Sequence, residues 1–416
     1  MRVPVDAGRQ AALVAAARDA MSRGLVALAE RICRELEQMG WDTWQSWEIV
    51  AKAAVAARRP DIARESLERA RTFLAADRKA LGSVEAMIRP VEESAGAARY
   101  LIIRAWGQGF WSDVDHVLGQ ALLAEITGRT PIVWWGENSR FRDPGETGDA
   151  WERFFEPLSD ATLEQSLAGK PRFFPPKWNA RNLGVRDNAS FKGAHSRMAG
   201  LLFLGREETV AVSDFHTPVI SLRHWLPASH PWRTAPLTEI YRSLSQRHLR
   251  PRPEIAARAG AIFESFGPAP IIAVHVRGSD KTLELTDVHA LASVYHSAIA
   301  SLLTSAPDAR VLLLTDWEPA VREYRARYAD RLLLSPGRKT SSTTGMHFQA
   351  ELMGRQLGEE VLLDVLLAAR CSAFVGLGYS NVSLFASYLS QAPAERRVLL
   401  GPSAHEVYNS FLLRPS

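Results

Sequence analysis

Cysteine is nearly absent: Cys33 and Cys371 are the only two in 416 residues. Thiols so far apart, each in apolar helix-like surroundings, exclude a disulfide-stapled scaffold and a zinc ligand set, and they fit a reducing compartment. Long apolar runs are missing too. No stretch of the roughly 18 uncharged apolar residues that a membrane helix needs is present, so no membrane span is expected. Near the N-terminus the longest apolar stretch, Ala11 to Ala17, is short, flanked by arginines and without a small-residue cleavage pattern. A secretory signal is therefore not expected, and the default location is cytoplasmic. No charge sign dominates: 50 Lys and Arg face 46 Asp and Glu, a net +4. These charges are dispersed and intermixed, which ranks a nucleic-acid binder last, although a pI of about 9.1 tolerates an anionic ligand.

Several catalytic signatures are absent as well. Without H-E-x-x-H, G-x-S-x-G, G-x-x-x-x-G-K-[ST] or G-x-G-x-x-G, the zincin, α/β-hydrolase, P-loop and classical dinucleotide readings lack their carriers. Asp113-Val-Asp115 reads as the opening of a helix rather than a D-x-D metal site. What is present is globular: 46% hydrophobic and 23% charged residues. At about 150 residues per domain the length implies two or three domains.

Residues 1–92 are rich in Ala, Arg and Glu with helical periodicity. A weak 34-residue self-similarity aligns Leu13, Ala17, Ala20, Ala29, Cys33 and Leu36 with Trp47, Ala51, Ala54, Ala63, Leu67 and Ala70. Small residues at those points let antiparallel helices approach closely, as in a tetratricopeptide repeat. A plain helical bundle packed on the next domain accounts for the pattern equally well. Either could carry a protein partner. From about residue 97 the texture becomes α/β. Tyr100–Arg104, a Gly107-Gln-Gly109 turn, a helix over Val114–Ile126 and a strand over Pro131–Trp135 form one unit. After Leu249-Arg-Pro-Arg-Pro253 comes a helix, Glu254–Phe266. Strands Ile271–Val276, Arg310–Leu314 and Ala373–Gly376 then alternate with helices near 288–304, 318–328 and 357–370. The expected architecture is α/β, two Rossmann-type halves (93–253 and 254–416) behind an all-α region (1–92).

Three stretches carry chemistry. His275-Val-Arg277-Gly-Ser-Asp280-Lys281 follows an apolar strand, and in open α/β sheets strand exits line the ligand crevice. His275 and Arg277 share one side of the strand, and an arginine fork suits phosphate oxygens. The alternative is a charged surface turn. Asp364 stands alone in the apolar helical run Val361–Ala369, and a buried carboxylate requires a donor. The N1–H and N2–H₂ edge of guanine is one such donor, and a nearby arginine is another. Ser380 and Asn381 open a helix after a Gly-rich strand exit, which makes an anion site; taken alone, simple capping is the better reading. Gly107-Gln-Gly109, Thr315-Asp316 and His347 are weaker signals, each with a structural explanation.

Taken in order, these motifs resemble GDP-fucose-dependent fucosyltransferases of the α1,6- and O-fucosyltransferase superfamily. His275-Val-Arg-Gly-Ser-Asp-Lys281 is similar to the family's H-x-R-R-x-D-K, and the likeness spans roughly residues 97–400. The resemblance implies a GT-B-like fold and an inverting, metal-independent transfer of a sugar, fucose foremost, from a GDP-sugar to a glycan or protein hydroxyl. It implies that His275 and Asp364 recognise guanine and that Arg277 holds the β-phosphate. Gly107 and Gly109 would bring backbone to the pyrophosphate, Ser380 and Asn381 would complete that cradle, and His347 and Tyr379 fall among the GDP-binding positions. Asp280, Lys281 and Asp316 fall on positions required for activity, and Glu284, with Asp287 behind it, is nearest to the family's base. No cofactor or metal is expected. Gly278 departs from the family, standing where a second arginine is expected. That departure removes one positive charge, so a catalytically degenerate GDP-sugar binder or helical-repeat interaction protein is the alternative.

Overall fold

The computed structural model describes residues 6–73, 76–93, 98–184, 203–213, 216–278, 290–342, 344–349 and 351–406. Five helices lead: α1 (Ala7–Ser22), α2 (Val26–Met39), α3 (Trp44–Ala56), α4 (Pro60–Arg71) and α5 (Arg78–Glu93). Their boundaries follow local chemistry. Gly40 ends α2 in the left-handed conformation, Thr43 and Ser46 form a capping box before α3, and Pro60 opens α4. Ala17, Ala29, Cys33, Leu36, Trp47, Ala51, Ala54, Ala63, Leu67 and Ala70 are all buried where these helices meet. The helices also pack on the α/β region: Arg59 donates to the Ile126 carbonyl (2.9 Å) and Glu65 accepts from the Ala228 amide (2.8 Å).

Next come β1 (Tyr100–Arg104), α6 (Phe110–Thr127), β2 (Thr130–Trp134), the short α7 (Leu163–Leu167), β3 (Phe173–Phe174), β4 (Val210–Val212) and α8 (Val219–Leu222). The strands form a parallel sheet in the order β2-β1-β4-β3. Helices α9 (Leu237–His248) and α10 (Pro253–Ser265) lead to the second sheet. It is assembled from β5 (Ile271–His275), α11 (Ala290–Ser305), β6 (Arg310–Leu314), α12 (Glu318–Tyr328), β7 (Leu332–Leu334), α13 (Arg355–Arg370), β8 (Ala373–Leu377), α14 (Asn381–Leu389) and β9 (Arg397–Leu400).

All its strand pairs are parallel, in the order β7-β6-β5-β8-β9. Both faces are covered, which is why these strands read as continuous apolar runs. Ile271, Ala273, Leu312 and Leu314 join the large core that runs through the N-terminal regions. Ile272, Val274, Val311 and Leu313 face a second core with Tyr295 and Ile299. The strand order reverses between β5 and β8, and at such a switch point the exits of neighbouring strands diverge and leave a crevice.

The two sheets are held against each other by aromatic packing. A Cβ on Gly358 of α13 would sit 2.5 Å from the Phe154 ring, so only glycine lets this helix approach. Trp111 of α6 donates to the Val361 carbonyl (3.2 Å) and stacks on Phe385 of α14 (4.8 Å). Strands β3, β4, β7 and β9 escape the sequence reading because each is only two to four residues long. So short a run carries no usable alternation.

Candidate active site

Where β5 and β8 part, a cleft of about 270 Å³ opens between the two sheets. The C-terminal half supplies His275, Arg277, Thr315, Asp316, Glu360 and Asp364, together with Tyr379, Ser380 and Asn381. Gln108, Gly109, Trp111, Ser112 and Phe141 form the facing wall.

His275 ends β5 and is buried. Its Nδ1 lies 2.7 Å from Ser383 Oγ, which itself accepts the Leu377 amide at 3.0 Å. A serine hydroxyl can accept from both groups or donate to the ring, so this contact anchors the imidazole without fixing its tautomer. Burial, assisted by the Arg277 charge, pushes this imidazole down to about 3. It is neutral near pH 7.

Asp364 projects from α13 into the cleft, and its Oδ1 is sealed from solvent without a hydrogen-bond partner. Burial raises its carboxyl to about 6, against the pull of the Lys339 ammonium and of the Ser335 hydroxyl beside it. A buried acceptor left open at a cleft wall is costly unless a ligand donates to it. One turn earlier on the same face, Glu360 holds Arg338: both carboxylate oxygens are 3.0 Å from the arginine Nε.

Ser380 occupies the N-cap position of α14, yet its hydroxyl makes no cap hydrogen bond. Simple capping, the better reading of these residues alone, is not what the structure holds. The first amides of α14 thus meet the cleft beside Ser380 and Asn381, a favourable setting for an anion. Across the cleft, Gly109 is the N-cap of α6. The Gly107 and Gln108 amides are engaged elsewhere, at 3.2 and 3.0 Å from the Asp113 carboxylate, and Gly107 does not line the cleft. Its role is conformational: with φ at +82° it turns the chain into the loop.

Solved fucosyltransferases are similar to this chain. The fucosyltransferase NodZ from Bradyrhizobium is 25% identical over 71% of this chain and 94% of that one, with a TM-score of 0.47. NodZ alpha-1,6-fucosyltransferase soaked with GDP-fucose gives 24%, 71%, 93% and 0.45. POFUT1 in complex with GDP gives 14%, 74%, 99% and 0.43. No family model and no curated protein matches the chain.

Among the candidate residues, Gly109, His275, Arg277, Asp316, His347, Asp364, Tyr379, Ser380 and Asn381 all line this one cleft. Asp280, Lys281, Glu284 and Asp287 lie outside the described residues. At Gly278 a Cβ would stand 2.3 to 2.5 Å from Trp317 ring and Cβ atoms, so an indole fills the space beside the position where an arginine was expected. Asp115 belongs to the body of α6, in keeping with its reading as helix rather than metal ligand. Among the described residues no group of three or more His, Cys, Asp or Glu is placed to hold a metal ion, and no helix is long and apolar enough to cross a membrane.

Sequence reasoning missed Arg338, Glu360 and Arg140. Glu360 had a signal, four residues before Asp364 on one helix face. Arg338 also had one: it follows the exit of β7, where Leu332-Leu-Leu-Ser-Pro-Gly-Arg repeats the pattern of apolar strand and basic turn. Arg140 had none. It reaches from a loop to the Gly107 carbonyl (2.7 Å) and the His347 carbonyl (3.2 Å), tying together the two lips of the cleft.

Proposed function

We propose that this chain is a GDP-sugar-dependent glycosyltransferase with fucose as the transferred sugar. The observation that carries the reading is Asp364: a carboxylate oxygen with no partner, in the same cleft as a neutral imidazole, a guanidinium and an uncapped helix N-terminus. Guanine offers two parallel hydrogens, N1–H and N2–H, to one carboxylate, and His275 Nε2–H meets an acceptor on the same base. Arg277 and the first turn of α14 take the pyrophosphate. Fixed positive charge there stabilises the charge that develops on GDP as the glycosidic bond breaks.

An acceptor hydroxyl then attacks the anomeric carbon from the opposite face, inverting it, and a base accepts the hydroxyl proton. In this reading no metal is needed, because Arg277, Lys281 and helix amides supply the counter-charge. Lys281 and Asp280 take their roles from the family resemblance, as does Glu284 as base. The GT-B-like arrangement and a tetratricopeptide-like N-terminal region that recruits a protein acceptor belong to the same proposal. Calorimetry with GDP and GDP-fucose tests it, with Arg277→Ala as control. Absence of GDP binding at sub-millimolar concentration would defeat it.

Gly278 favours a second reading. With Trp317 packed beside it and no second arginine, the cleft would bind the GDP-sugar without turning it over. GDP binding combined with no consumption of GDP-fucose would select this alternative.

A further inference from the structure

The cleft holds a second arginine to which the donor reading gives no task. Arg338 leaves the sheet just past β7, and both Arg338 and Glu360 line the cleft. Glu360 fixes it twice: the Arg338 amide donates to Oε2 (3.2 Å), and Nε stands 3.0 Å from both carboxylate oxygens. Gln356 steadies Glu360 in turn, donating to Oε1 at 2.9 Å. Nη2 of Arg338 donates to the Leu352 carbonyl (3.3 Å). Nη1 is left over, with no partner among the described residues. The loop itself is held too. The Thr340 amide donates to the Asp316 carbonyl (2.8 Å) and the Thr340 carbonyl accepts the Glu318 amide (2.9 Å), stitching the β7 exit to the β6 exit. The guanidinium is therefore pre-positioned, with the two hydrogens of Nη1 free.

Strand order places this group. In β7-β6-β5-β8-β9, β7 lies two strands from β5, on the side away from β8. At about 4.8 Å per strand that is roughly 10 Å. In the proposed donor pose the phosphates lie at Arg277 and the first turn of α14, past the exits of β5 and β8. Asp364 sits one helical turn from Glu360 on α13, and the Glu360 charge is felt at its carboxyl. A base on Asp364 is joined to its phosphates through ribose, so the ribose lies toward β5 and β8. The base edge turned toward β7 is the one remote from the ribose. In guanine that edge carries the O6 carbonyl, next to N1–H. Arginine offers only donors, and O6 only accepts. Charge balance favours the same partner. Glu360 neutralises Arg338, so Nη1 contributes a directed hydrogen bond rather than net positive charge, which suits a neutral carbonyl better than a phosphate.

We propose that Arg338, oriented by Glu360, donates to O6 of the donor's guanine and sets the base specificity of the cleft. The inference deepens the GDP-sugar reading and rests on it. Asp364 takes N1–H and N2–H while Nη1 takes O6, so the wall presents an acceptor beside a donor. Adenine reverses both, with an amino group in place of O6 and a bare N1. Its amino hydrogens meet Arg338 and its N1 lone pair meets the Asp364 carboxylate, which leaves buried groups unpaired. Arg338 is a specificity residue and Glu360 a positioning residue.

The test measures affinities by calorimetry on the full chain with GDP, ADP, 2′-deoxy-GDP and 6-thio-GDP, in which sulfur, a poor acceptor, replaces O6. Arg338→Met is expected to weaken GDP about 10-fold, the value of one charge-assisted hydrogen bond, and to leave 6-thio-GDP nearly unchanged. The wild-type preference for GDP over 6-thio-GDP should therefore vanish, and that over ADP should shrink about 10-fold. Arg338→Lys keeps the ion pair with Glu360, so it should melt as wild type does and still lose the preference for O6. Equal weakening of GDP and 6-thio-GDP in Arg338→Met is the signature of a brace and overturns the assignment. A lost preference over 2′-deoxy-GDP, with that over 6-thio-GDP retained, moves the contact to the ribose and overturns it too. Unchanged GDP affinity in Arg338→Met does the same. Each of these results leaves the cleft reading standing, whereas a wild type that binds no GDP defeats that reading and this inference together.

Discussion

The two walls of the cleft are built differently. The C-terminal wall joins strand exits and a helix start bearing His275, Arg277, Asp316 and Ser380 to Asp364 in the middle of α13, polar groups fixed on a five-stranded sheet covered on both faces. The N-terminal wall is aromatic, with Phe110 and Trp111 from the first turn of α6 and Phe141 from a loop, on a sheet whose strands β3 and β4 have only two and three residues. A rigid charged wall can read a nucleotide. An aromatic wall can exclude water from it. Substitutions on the first wall should therefore cost donor binding, and those on the second should mainly cost turnover.

The largest effect is expected at Arg277. Arg277→Ala should reduce GDP-fucose consumption at least about 100-fold, as removal of a fixed transition-state donor does elsewhere. GDP affinity, measured by calorimetry, should fall in parallel. Retention of near-wild-type turnover would show that the charged wall is not the donor wall.

Asp364→Asn should weaken GDP about 10- to 100-fold, the cost of one charge-assisted hydrogen bond. Its stability signature has the opposite sign. Because burial raises this carboxyl from the ordinary range near 4 to about 6, Asp364 favours folding fully only below about pH 4 and loses that contribution as pH rises through about 6. The unliganded variant should therefore melt higher than wild type above pH 6, with the gain fading toward pH 4. Wild-type GDP affinity should drop as pH falls through about 6, since the protonated acid cannot accept both guanine hydrogens. Melting curves and titrations at several pH values check both.

Gly278→Ala places a methyl against Trp317 and should destabilise the protein by about 1–3 kcal/mol, read as a lower melting temperature. Restoring the family's arginine at this position should destabilise no less and should not raise activity. The smallest change is expected on the N-terminal wall. Arg140→Gln removes the tie between the Gly107 and His347 carbonyls and should lower kcat several-fold while leaving GDP affinity within twofold, since each such hydrogen bond contributes about 1 kcal/mol. A larger loss of affinity than of kcat would erase the distinction between the walls.

The contrast also explains what could be read in advance. His275, Arg277, Ser380 and Asn381 were legible because a buried parallel strand is an apolar run that ends abruptly, and the residues just after it face the crevice. Asp364 was legible because a carboxylate in an apolar helix stands out. Arg140 was not, since its partners, the Gly107 and His347 carbonyls, stand 33 and 207 residues away in the chain. Gly107 was placed in the correct loop but with another task, because Asp113 captures the amides that a phosphate would have used.

Sequence alone determined the alternation of apolar strands and helices, the chemistry at each strand exit and the helical character of the first 92 residues, all set by near-neighbour periodicity and side-chain type. Only tertiary structure decided that these exits converge on one cleft, that the Ser380 hydroxyl leaves its helix uncapped, that Trp317 fills the space beside Gly278 and that one carboxylate oxygen of Asp364 has no partner. Each of those facts is a relation between residues far apart in the chain, and packing fixes such relations where local pattern cannot.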